Sequence, residues 1–252
     1  MNKIKMSLLT SLLPALMMPM TATSAPMVEL FTSQGCYSCP PADEFLGDLL
    51  EAQPDVVALE FHVDYWDDLR YGSHGVWKDP FSSPAYSHRQ RRYNSVGLDG
   101  NRGVYTPQMI VNGKTAQVGS SRGKVLRALE KQVPEVEIAA LVKDNELAVE
   151  IQGTGKGGPT LWLAFFDRLQ VTEVERGENH GKTMVNHHVV SELVPLGRWQ
   201  GDEVSQTFQL PASAGFTGAD SVENGERGCA LFLQDEALGQ VYGATYCETA
   251  EG

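Results

Sequence analysis

The chain is poor in positive charge and in cysteine. Its 252 residues include 20 lysines and arginines against 32 aspartates and glutamates, which gives a formal net charge of -12 at pH 7. Because an acidic surface repels phosphate backbones and anionic lipids, we expect neither nucleic acid nor a membrane surface as the main partner. The 4 cysteines are too few, in a chain of this length, for a fold held together mainly by disulfides.

Several catalytic and metal-binding motifs are missing as well. The sequence contains no phosphate-binding glycine loop, no His-Glu-x-x-His pattern and no Ser-His-Asp order. The adjacent His187 and His188 do not favour a metal site, because neighbouring residues in a strand point to opposite faces. We therefore expect no cofactor and no resident metal.

Long apolar runs are absent except at the N-terminus. Lys3 and Lys5 precede an apolar stretch over Met6–Met20, and small residues follow up to position 25. This order of regions is typical of a secretory signal peptide, and the stretch is short for a membrane span. We expect residues 1–25 to be removed and the mature protein to be periplasmic or secreted, without membrane insertion. An uncleaved anchor is the alternative, because Pro26 is a poor context for cleavage.

The sequence that follows changes character near its middle. Apolar periodicity and turn residues predict alternating strands and helices up to about residue 133. Asn112-Gly113 predicts a two-residue hairpin turn, with Lys114 starting the returning strand. From Glu135 onward, seven or eight period-2 stretches separated by turn residues predict an antiparallel β-sandwich. We place a domain boundary at residues 133–134.

The sequence Cys36-Tyr37-Ser38-Cys39 lies where the first predicted strand gives way to a helix. The first thiol is expected to project from the turn, where the amides and dipole of the helix N-terminus favour a thiolate. Two intervening residues let the second thiol reach the first. This context favours a redox-active pair; a permanent, inert disulfide or ligation of zinc or copper are the alternatives.

The segment from Leu30 to Cys39 resembles the active-site strand and turn of glutaredoxins and thioredoxins, and Thr106-Pro107 resembles their cis-proline loop. Together with the segments 62–67 and 105–108, it also resembles a family of uncharacterised bacterial secreted proteins. The resemblance covers about residues 27–133. It implies an α/β thioredoxin-like domain over residues 26–133 with an insertion at about 64–104, followed by an all-β sandwich-like domain over 134–252.

The resemblance also implies roles for individual residues. In the thioredoxin superfamily the matching proline, here Pro107, is cis and packs beside the cysteines, and the residue before it, here Thr106, binds an extended substrate peptide through its backbone. An ordinary trans proline at the start of a strand is the alternative. We expect Tyr37 and Trp66 to contribute to substrate binding, although a core position would also explain Trp66.

A possible proton relay consists of Glu60, His62 and Asp64. Strand alternation places these side chains on one face, near the edge where the strand before Cys36 also ends. Glu29 and Glu60, on adjacent strands, are candidates for a buried proton acceptor. The alternatives are a local hydrogen bond for the histidine and paired or solvated carboxylates for the acids.

Four cysteines allow three pairings. Cys229 and Cys247 flank a predicted hairpin with a three-residue loop at 237–239. That register sets them opposite each other at a non-hydrogen-bonded position, where Cα atoms are about 4.5 Å apart. We predict a structural disulfide between them, which leaves Cys36 to pair with Cys39; two free cysteines on opposite sheet faces are the alternative.

The leading hypothesis is an exported thiol–disulfide oxidoreductase that acts on protein or peptide thiols and disulfides and is served by an unknown redox partner. Two other hypotheses remain. One is a periplasmic copper-binding protein that uses Cys36, Cys39 and His62 as ligands. The other is a non-catalytic binding protein that keeps a thioredoxin fold. Metal content tests the first of these, and an insulin-reduction assay tests the second.

Overall fold

The computed structural model describes residue 22 and residues 24–98, 103–131, 133–143, 145–153, 158–210, 226–235 and 237–249. The predicted signal peptide lies outside this range except for positions 22, 24 and 25. No described helix is long and apolar enough to cross a lipid bilayer. The helices are α1 Pro40–Ala52, α2 Pro84–Ser95 and α3 Arg122–Leu129, with a short 3-10 helix at Gly72–His74. The strands are β1 Met27–Thr32, β2 Val57–His62, β3 Gln108–Val111, β4 Thr115–Val118, β5 Val136–Lys143, β6 Glu146–Gly153, β7 Thr160–Glu173, β8 Thr183–Arg198, β9 Val204–Gln209, β10 Arg227–Gln234, β11 Val241–Tyr246 and β12 Glu248–Thr249.

The strands form two sheets. The larger sheet has eight strands in the order β11-β10-β7-β8-β2-β1-β3-β4, and the smaller has four in the order β12-β5-β6-β9. β1 and β2 are parallel, and β3 is antiparallel to β1. β8 joins β2 through the single pair Glu60–Val189. One continuous sheet therefore runs through both halves of the chain.

The second half differs from the separate β-sandwich domain expected over residues 134–252. Its strands β7, β8, β10 and β11 extend the sheet that β1–β4 begin. The smaller sheet packs on this extension, with Ile138 and Val149 against Leu163 and Leu231. Two layers are present, but one of them belongs to the sheet of the first half. A period-2 pattern shows that a strand has two different faces, and it does not show which strand is its neighbour.

The helices cover opposite faces of the large sheet. α1 and α3 pack on one face around Leu30 and Leu46. On the other face, Phe31 stacks on Phe61 with ring centroids 5.5 Å apart. The same apolar cluster contains Tyr93 of α2 and Phe232 of β10. This core is therefore built from both halves of the chain.

Strands β7 and β8 form a long hairpin whose tip, residues 174–182, reaches the first half of the chain. Two of the period-2 stretches of the second half, at 161–166 and 171–175, predict separate strands, whereas the structure has the single strand β7. The polar stretch around Asp167 caused this error. After Asp167, β7 no longer pairs with β10, so its polar side chains can face solvent. We call residues 174–182 the hairpin tip.

The predicted turn at Asn112-Gly113 is present, but the pairing of the strands beside it differs from the prediction. Asn112 and Gly113 have positive φ angles of 47° and 66°, as their dipeptide predicts, but pairing resumes at Thr115 rather than Lys114. Lys114 instead closes the turn by donating its backbone N–H to the carbonyl of Val111 at 3.0 Å.

The β10–β11 hairpin carries the Cys229–Cys247 disulfide, with Cα atoms 5.3 Å apart. The predicted pairing is confirmed. The expected non-hydrogen-bonded position is wrong, because the backbone N–H of Cys247 donates to the carbonyl of Cys229 at 2.8 Å. The pair closest to the loop is Asp235 with Gln240, whose backbone N–H and carbonyl are 3.0 Å apart, one position earlier in the chain than a three-residue loop requires. The alternation counted from Asp235 makes Cys229 a hydrogen-bonded position, and the register shift between Leu233 and Gln234 brings it opposite Cys247.

Candidate functional site at the Cys36–Cys39 disulfide

Cys36 and Cys39 form a disulfide at the N-terminus of α1, with Cα atoms 5.4 Å apart. Cys39 is the N-cap residue, and its carbonyl accepts the backbone N–H groups of Ala42 and Asp43 at 2.8 and 3.2 Å. Pro40 begins the helix at a position where no N–H is needed. The local sequence therefore starts a helix directly behind the disulfide.

The disulfide does not project into solvent. Both Cys36 and Cys39 have an exposed fraction of 0%. The expectation that the first thiol projects from the turn is wrong for this disulfide-bonded structure. The exposed residue of the turn is Tyr37, whose exposed fraction is 63%. Other parts of the chain cover the sulfur atoms.

The Thr106–Pro107 loop lies on one side of the turn. The bond between these residues is cis, as the resemblance implies. The Ser38 hydroxyl donates to the Thr106 carbonyl at 3.5 Å. A Cβ on Gly119 would lie 2.9 Å from Ala42 and 3.1 Å from Pro107, which places the proline beside the first turn of α1. The loop is thus brought to the disulfide.

Trp66 supports the same loop. Its indole N–H donates to the Thr106 hydroxyl at 2.8 Å, and a Cβ on Gly35 would lie 3.0 Å from its own Cβ. The ring also stacks on Tyr71 with centroids 6.4 Å apart. The structure therefore brings Trp66 and Thr106 together beside the disulfide, while the Tyr37 side chain is mostly exposed.

The hairpin tip covers the turn from the other side. The Asn179 side-chain amide donates to the carbonyls of Gln34 and Cys36, both at 2.9 Å. The Tyr37 backbone N–H donates to the carboxylate of Glu178 at 2.8 Å. Lys182 lies 4.4 Å from the Tyr37 ring centroid. Three tip residues thus hold the backbone or side chains of the turn.

A buried polar network lies at the end of β2, on the α1 face of the sheet. His62 contacts the carboxylate of Asp79 at 2.7 Å and that of Glu60 at 3.1 Å. Asn186 of β8 donates to Glu60 at 2.6 Å, and the Gln34 side chain donates to Asn186 at 3.0 Å. The network therefore connects β2 and the segment before Cys36 to β8.

The charges of this network support one another. Burial lowers the pKa of His62, but the charge of Asp79 and hydrogen bonds to Asp79 and Glu60 raise it well above 6.5. Burial raises the pKa of Asp79, but the charge of His62 and its hydrogen bond lower it below 3.8. The raised pKa of His62 favours its imidazolium form, which lies between the carboxyl groups of Asp79 and Glu60.

The predicted relay is only partly assembled. Glu60 and His62 are in contact, but Asp64 accepts the hydroxyl of Ser87 on α2 instead. Both ring nitrogens of His62 are engaged, so neither is free to join the cysteines as a metal ligand. Among the described residues, no three His, Cys, Asp or Glu side chains are grouped to hold a metal ion.

Glu29 does not join Glu60 as a proton acceptor, because the two side chains lie on opposite faces of the sheet. β1 and β2 pair Glu29 with Leu59 and Leu30 with Glu60, so the two glutamates occupy opposite faces of the sheet. Glu29 contacts Arg89 at 2.5 Å in the core beneath α2. Sequence alternation predicts the faces within one strand, whereas the register between strands decides which residues are neighbours.

Asp43 is the buried acid that sequence reasoning missed. It follows Cys39 by one helical turn and accepts the Thr32 hydroxyl at 2.7 Å on one oxygen, while its other oxygen has no hydrogen-bond partner. Burial, together with the charge of Glu60, raises its pKa well above 3.8. A sequence signal existed, because Asp43 falls on the same helix face as Leu46 and Leu49.

A groove runs from this position along α1. It has a volume of about 430 Å³ and lies between α1 and the start of β8. Its lining includes Pro40 and Asp43 on the helix, and Lys182, Val185 and His187 on the hairpin. One end of the groove lies at the first turn of α1, which directly follows Cys39.

The comparisons with known proteins place the chain in a family. Residues 27–234 match a family described as protein of unknown function, DUF1223. The chain belongs to the DUF1223 family. The chain is also similar to a protein of known crystal structure from Agrobacterium tumefaciens, with 33% sequence identity and a TM-score of 0.71 over 89% of this chain and 94% of that chain. No curated protein matches the chain.

The predicted resemblance to a family of uncharacterised proteins is confirmed by this match. The matched range of the DUF1223 family extends from β1 into β10 and so includes the hairpin tip. The disulfide, the Thr106–Pro107 loop, Asp43 and the tip all lie within it. The site of this DUF1223 protein thus lies entirely within the segment that matches the family.

Proposed function

We propose that this DUF1223 protein is a thiol–disulfide oxidoreductase acting on polypeptide substrates, with a thioredoxin-like arrangement in its first half. The observation that carries the proposal is the Cys36–Cys39 disulfide at the N-terminus of α1, beside the Thr106–Pro107 loop. The strand order β2-β1-β3-β4, with β1 and β2 parallel and β3 antiparallel, supports the arrangement.

The reaction moves two electrons between the protein and its substrate. In the reducing direction, the Cys36 thiolate attacks one sulfur of a substrate disulfide, and the other substrate sulfur leaves as a thiolate. Cys39 then attacks the sulfur of Cys36, which releases the second substrate thiol and forms the Cys36–Cys39 disulfide. In the oxidising direction, a substrate thiolate attacks Cys36 and the same steps run in reverse.

Cys36 is the better candidate for the bond to substrate. Its sulfur lies 3.5 Å from the Ser38 hydroxyl, which in turn contacts the Thr106 carbonyl. A substrate peptide paired with the Thr106 backbone therefore lies on the Cys36 side of the disulfide. The amides at the start of α1 stabilise the negative charge of the attacking sulfur.

Asp43 is suited to accept the proton of Cys39. It lies one turn beyond Cys39 on α1, and one of its oxygens has no partner when the cysteines form a disulfide. Its raised pKa brings it closer to that of a thiol, which favours proton transfer between them. Asp43 takes the proton when Cys39 attacks and returns it when the disulfide is opened.

Serine variants of the two cysteines test the proposal. We expect Cys36→Ser to lose insulin reduction and oxidative refolding activity, and Cys39→Ser to accumulate mixed disulfides that non-reducing electrophoresis and mass spectrometry detect. The variant with both Cys229→Ala and Cys247→Ala is the control, because it removes the other disulfide and keeps the site. Equal activity of Cys36→Ser and the wild type would refute the proposal.

A further inference from the structure

The hairpin tip packs against the turn that carries Cys36. Cys36 is fully buried, although the next residue, Tyr37, is 63% exposed. Asn179 of the tip is itself fully buried and donates to the Cys36 carbonyl at 2.9 Å. The cover is therefore held by direct hydrogen bonds to the turn.

A second set of contacts anchors the tip from behind. The Gly177 N–H donates to the His74 carbonyl at 3.0 Å, and the His74 and His180 rings stack 4.5 Å apart. Gly177 has a φ of +77°, and a Cβ there would lie only 2.7 Å from the Cβ of Trp77. The tip is therefore fixed between the disulfide turn and the segment 74–77.

The shaft of the hairpin has one exposed apolar face. On β7, Leu169 and Val171 are 55% and 60% exposed, and Val185 on β8 is 42% exposed. These residues share one face, because Val171 pairs with Val185. The ribbon next to the tip is thus packed on one side only, where Asn186 and the backbone N–H of His187 donate to Glu60 of β2.

We propose that the hairpin tip is the specificity determinant of the disulfide, admitting polypeptides and excluding small thiols and disulfides. The proposal rests on the proposed function. Displacing the tip removes donors from the carbonyls of Gln34 and Cys36 and an acceptor from the N–H of Tyr37. The main chain of a polypeptide supplies both donors and acceptors to replace them. A small thiol such as dithiothreitol does not, so it reacts only when the tip opens spontaneously.

The rate of disulfide reduction by dithiothreitol tests this access directly. One thiolate of the reagent attacks a cysteine sulfur, its second thiol closes a ring, and the protein gains two electrons and two protons. Samples of the folded, full-length protein are quenched with iodoacetamide over time. Peptide mass spectrometry then follows Cys36–Cys39, and Cys229–Cys247 in the same samples serves as the internal reference.

Two glycines of the tip offer a matched pair of variants. Gly177→Ala brings a Cβ against Trp77, whereas Gly181→Ala has a similar φ of +79° and nothing within 4 Å. Asn179→Ala removes the two bonds to the turn without backbone strain. We expect Gly177→Ala and Asn179→Ala to accelerate reduction of Cys36–Cys39 about tenfold, and Gly181→Ala to stay within about twofold of the wild type.

The outcomes distinguish the effect of the tip on access to the disulfide from the oxidoreductase function itself. Equal reduction rates in the wild type, Gly177→Ala and Asn179→Ala, with unchanged near-ultraviolet circular dichroism, would overturn the proposal. If circular dichroism shows that Gly177→Ala is unfolded, Asn179→Ala decides. A faster reduction in the variants, combined with no insulin reduction by any protein, would support the cover and refute the oxidoreductase function.

Discussion

The two best-buried histidines with shifted pKa values have opposite charge states. Asp79 and Glu60 raise the pKa of His62 well above 6.5 against the effect of burial, whereas burial lowers the pKa of His188 to about 4. The stability that charged His62 contributes is fully present below pH 6.5 and is lost as the pH rises through its folded-state pKa. His188 has the opposite sign, because protons bind it more weakly in the folded state.

Histidine NMR should therefore show His62 as an imidazolium at pH 7 and His188 as a neutral ring that titrates near pH 4. The variants His62→Gln and His188→Gln assign the signals. A neutral His62 at pH 7 would contradict the ion pairs on which the buried network depends.

Asp43 should cost stability at neutral pH. Its pKa is raised by burial and by Glu60, so the folded state binds its proton more tightly than the unfolded state and stability falls as the pH rises above 3.8. We expect Asp43→Asn to raise the free energy of unfolding at pH 7 by about 1–3 kcal/mol, with the difference vanishing toward pH 3.8. The same variant should slow thiol–disulfide exchange.

Urea denaturation across this pH range checks the Asp43 prediction. Asp48→Asn is the matched control, because Asp48 lies on the same helix but is 52% exposed beside Arg122. A loss of stability in Asp43→Asn at pH 7 would mean that the carboxylate is stabilised in a way that its surroundings do not suggest.

Residues close in sequence were the ones that sequence reasoning identified. Cys36 and Cys39 are separated by three positions, and Pro107 was found through its dipeptide. Asn179 was missed because its partner Cys36 lies 143 positions away, and nothing local distinguishes it from any other turn asparagine. The glycines at 177 and 181 indicate a tight tip, but they carry no information about the surface it contacts.

At the scale of elements, the turn between β3 and β4 contacts the β10–β11 hairpin, which is distant in sequence. Gly113 has a φ of +66°, and a Cβ there would lie 2.0 Å from the backbone oxygen of Gly239 in the β10–β11 loop. The Val241 N–H also donates to the Asn112 carbonyl at 2.9 Å. The two turns are therefore in contact through their backbones.

Gly113→Ala should destabilise the protein by about 2–4 kcal/mol, because it combines left-handed strain with a backbone clash. Thermal unfolding measures the effect. Gly103→Ala is the control, since Gly103 has a similar φ of +82° and nothing within 4 Å. Equal losses in the two variants would show that strain alone, rather than contact between the turns, sets the cost.

At the scale of the whole molecule, the two halves share one core. Phe31 and Phe61 of the first half belong to the same apolar cluster as Phe166 and Phe232 of the second. Individual strands were predictable because their alternation is local. Their membership in one sheet was not, because the backbone pairing of β2 with β8 involves one residue pair, Glu60 and Val189, without a sequence signal of its own.

Residues 26–133 should therefore not fold alone, in contrast to the domain boundary that the sequence predicts. The isolated segment loses the neighbours of Phe61 and leaves Glu60 without Asn186. We expect poor dispersion in its amide NMR spectrum and no cooperative thermal transition, with the chain from residue 26 to 252 as the control. A cooperative transition in the isolated segment would restore the two-domain interpretation.

The 143 positions between Cys36 and Asn179 separate the disulfide from its cover in time as well as in sequence. At about 5–20 residues per second, the ribosome adds the hairpin tip roughly 7–30 s after the cysteines. During that interval the tip cannot shield either thiol. Once β7 and β8 pair, the tip covers the cysteines in the oxidation state, thiol or disulfide, that they have already reached. The history of the nascent chain therefore sets the starting redox state of the folded protein.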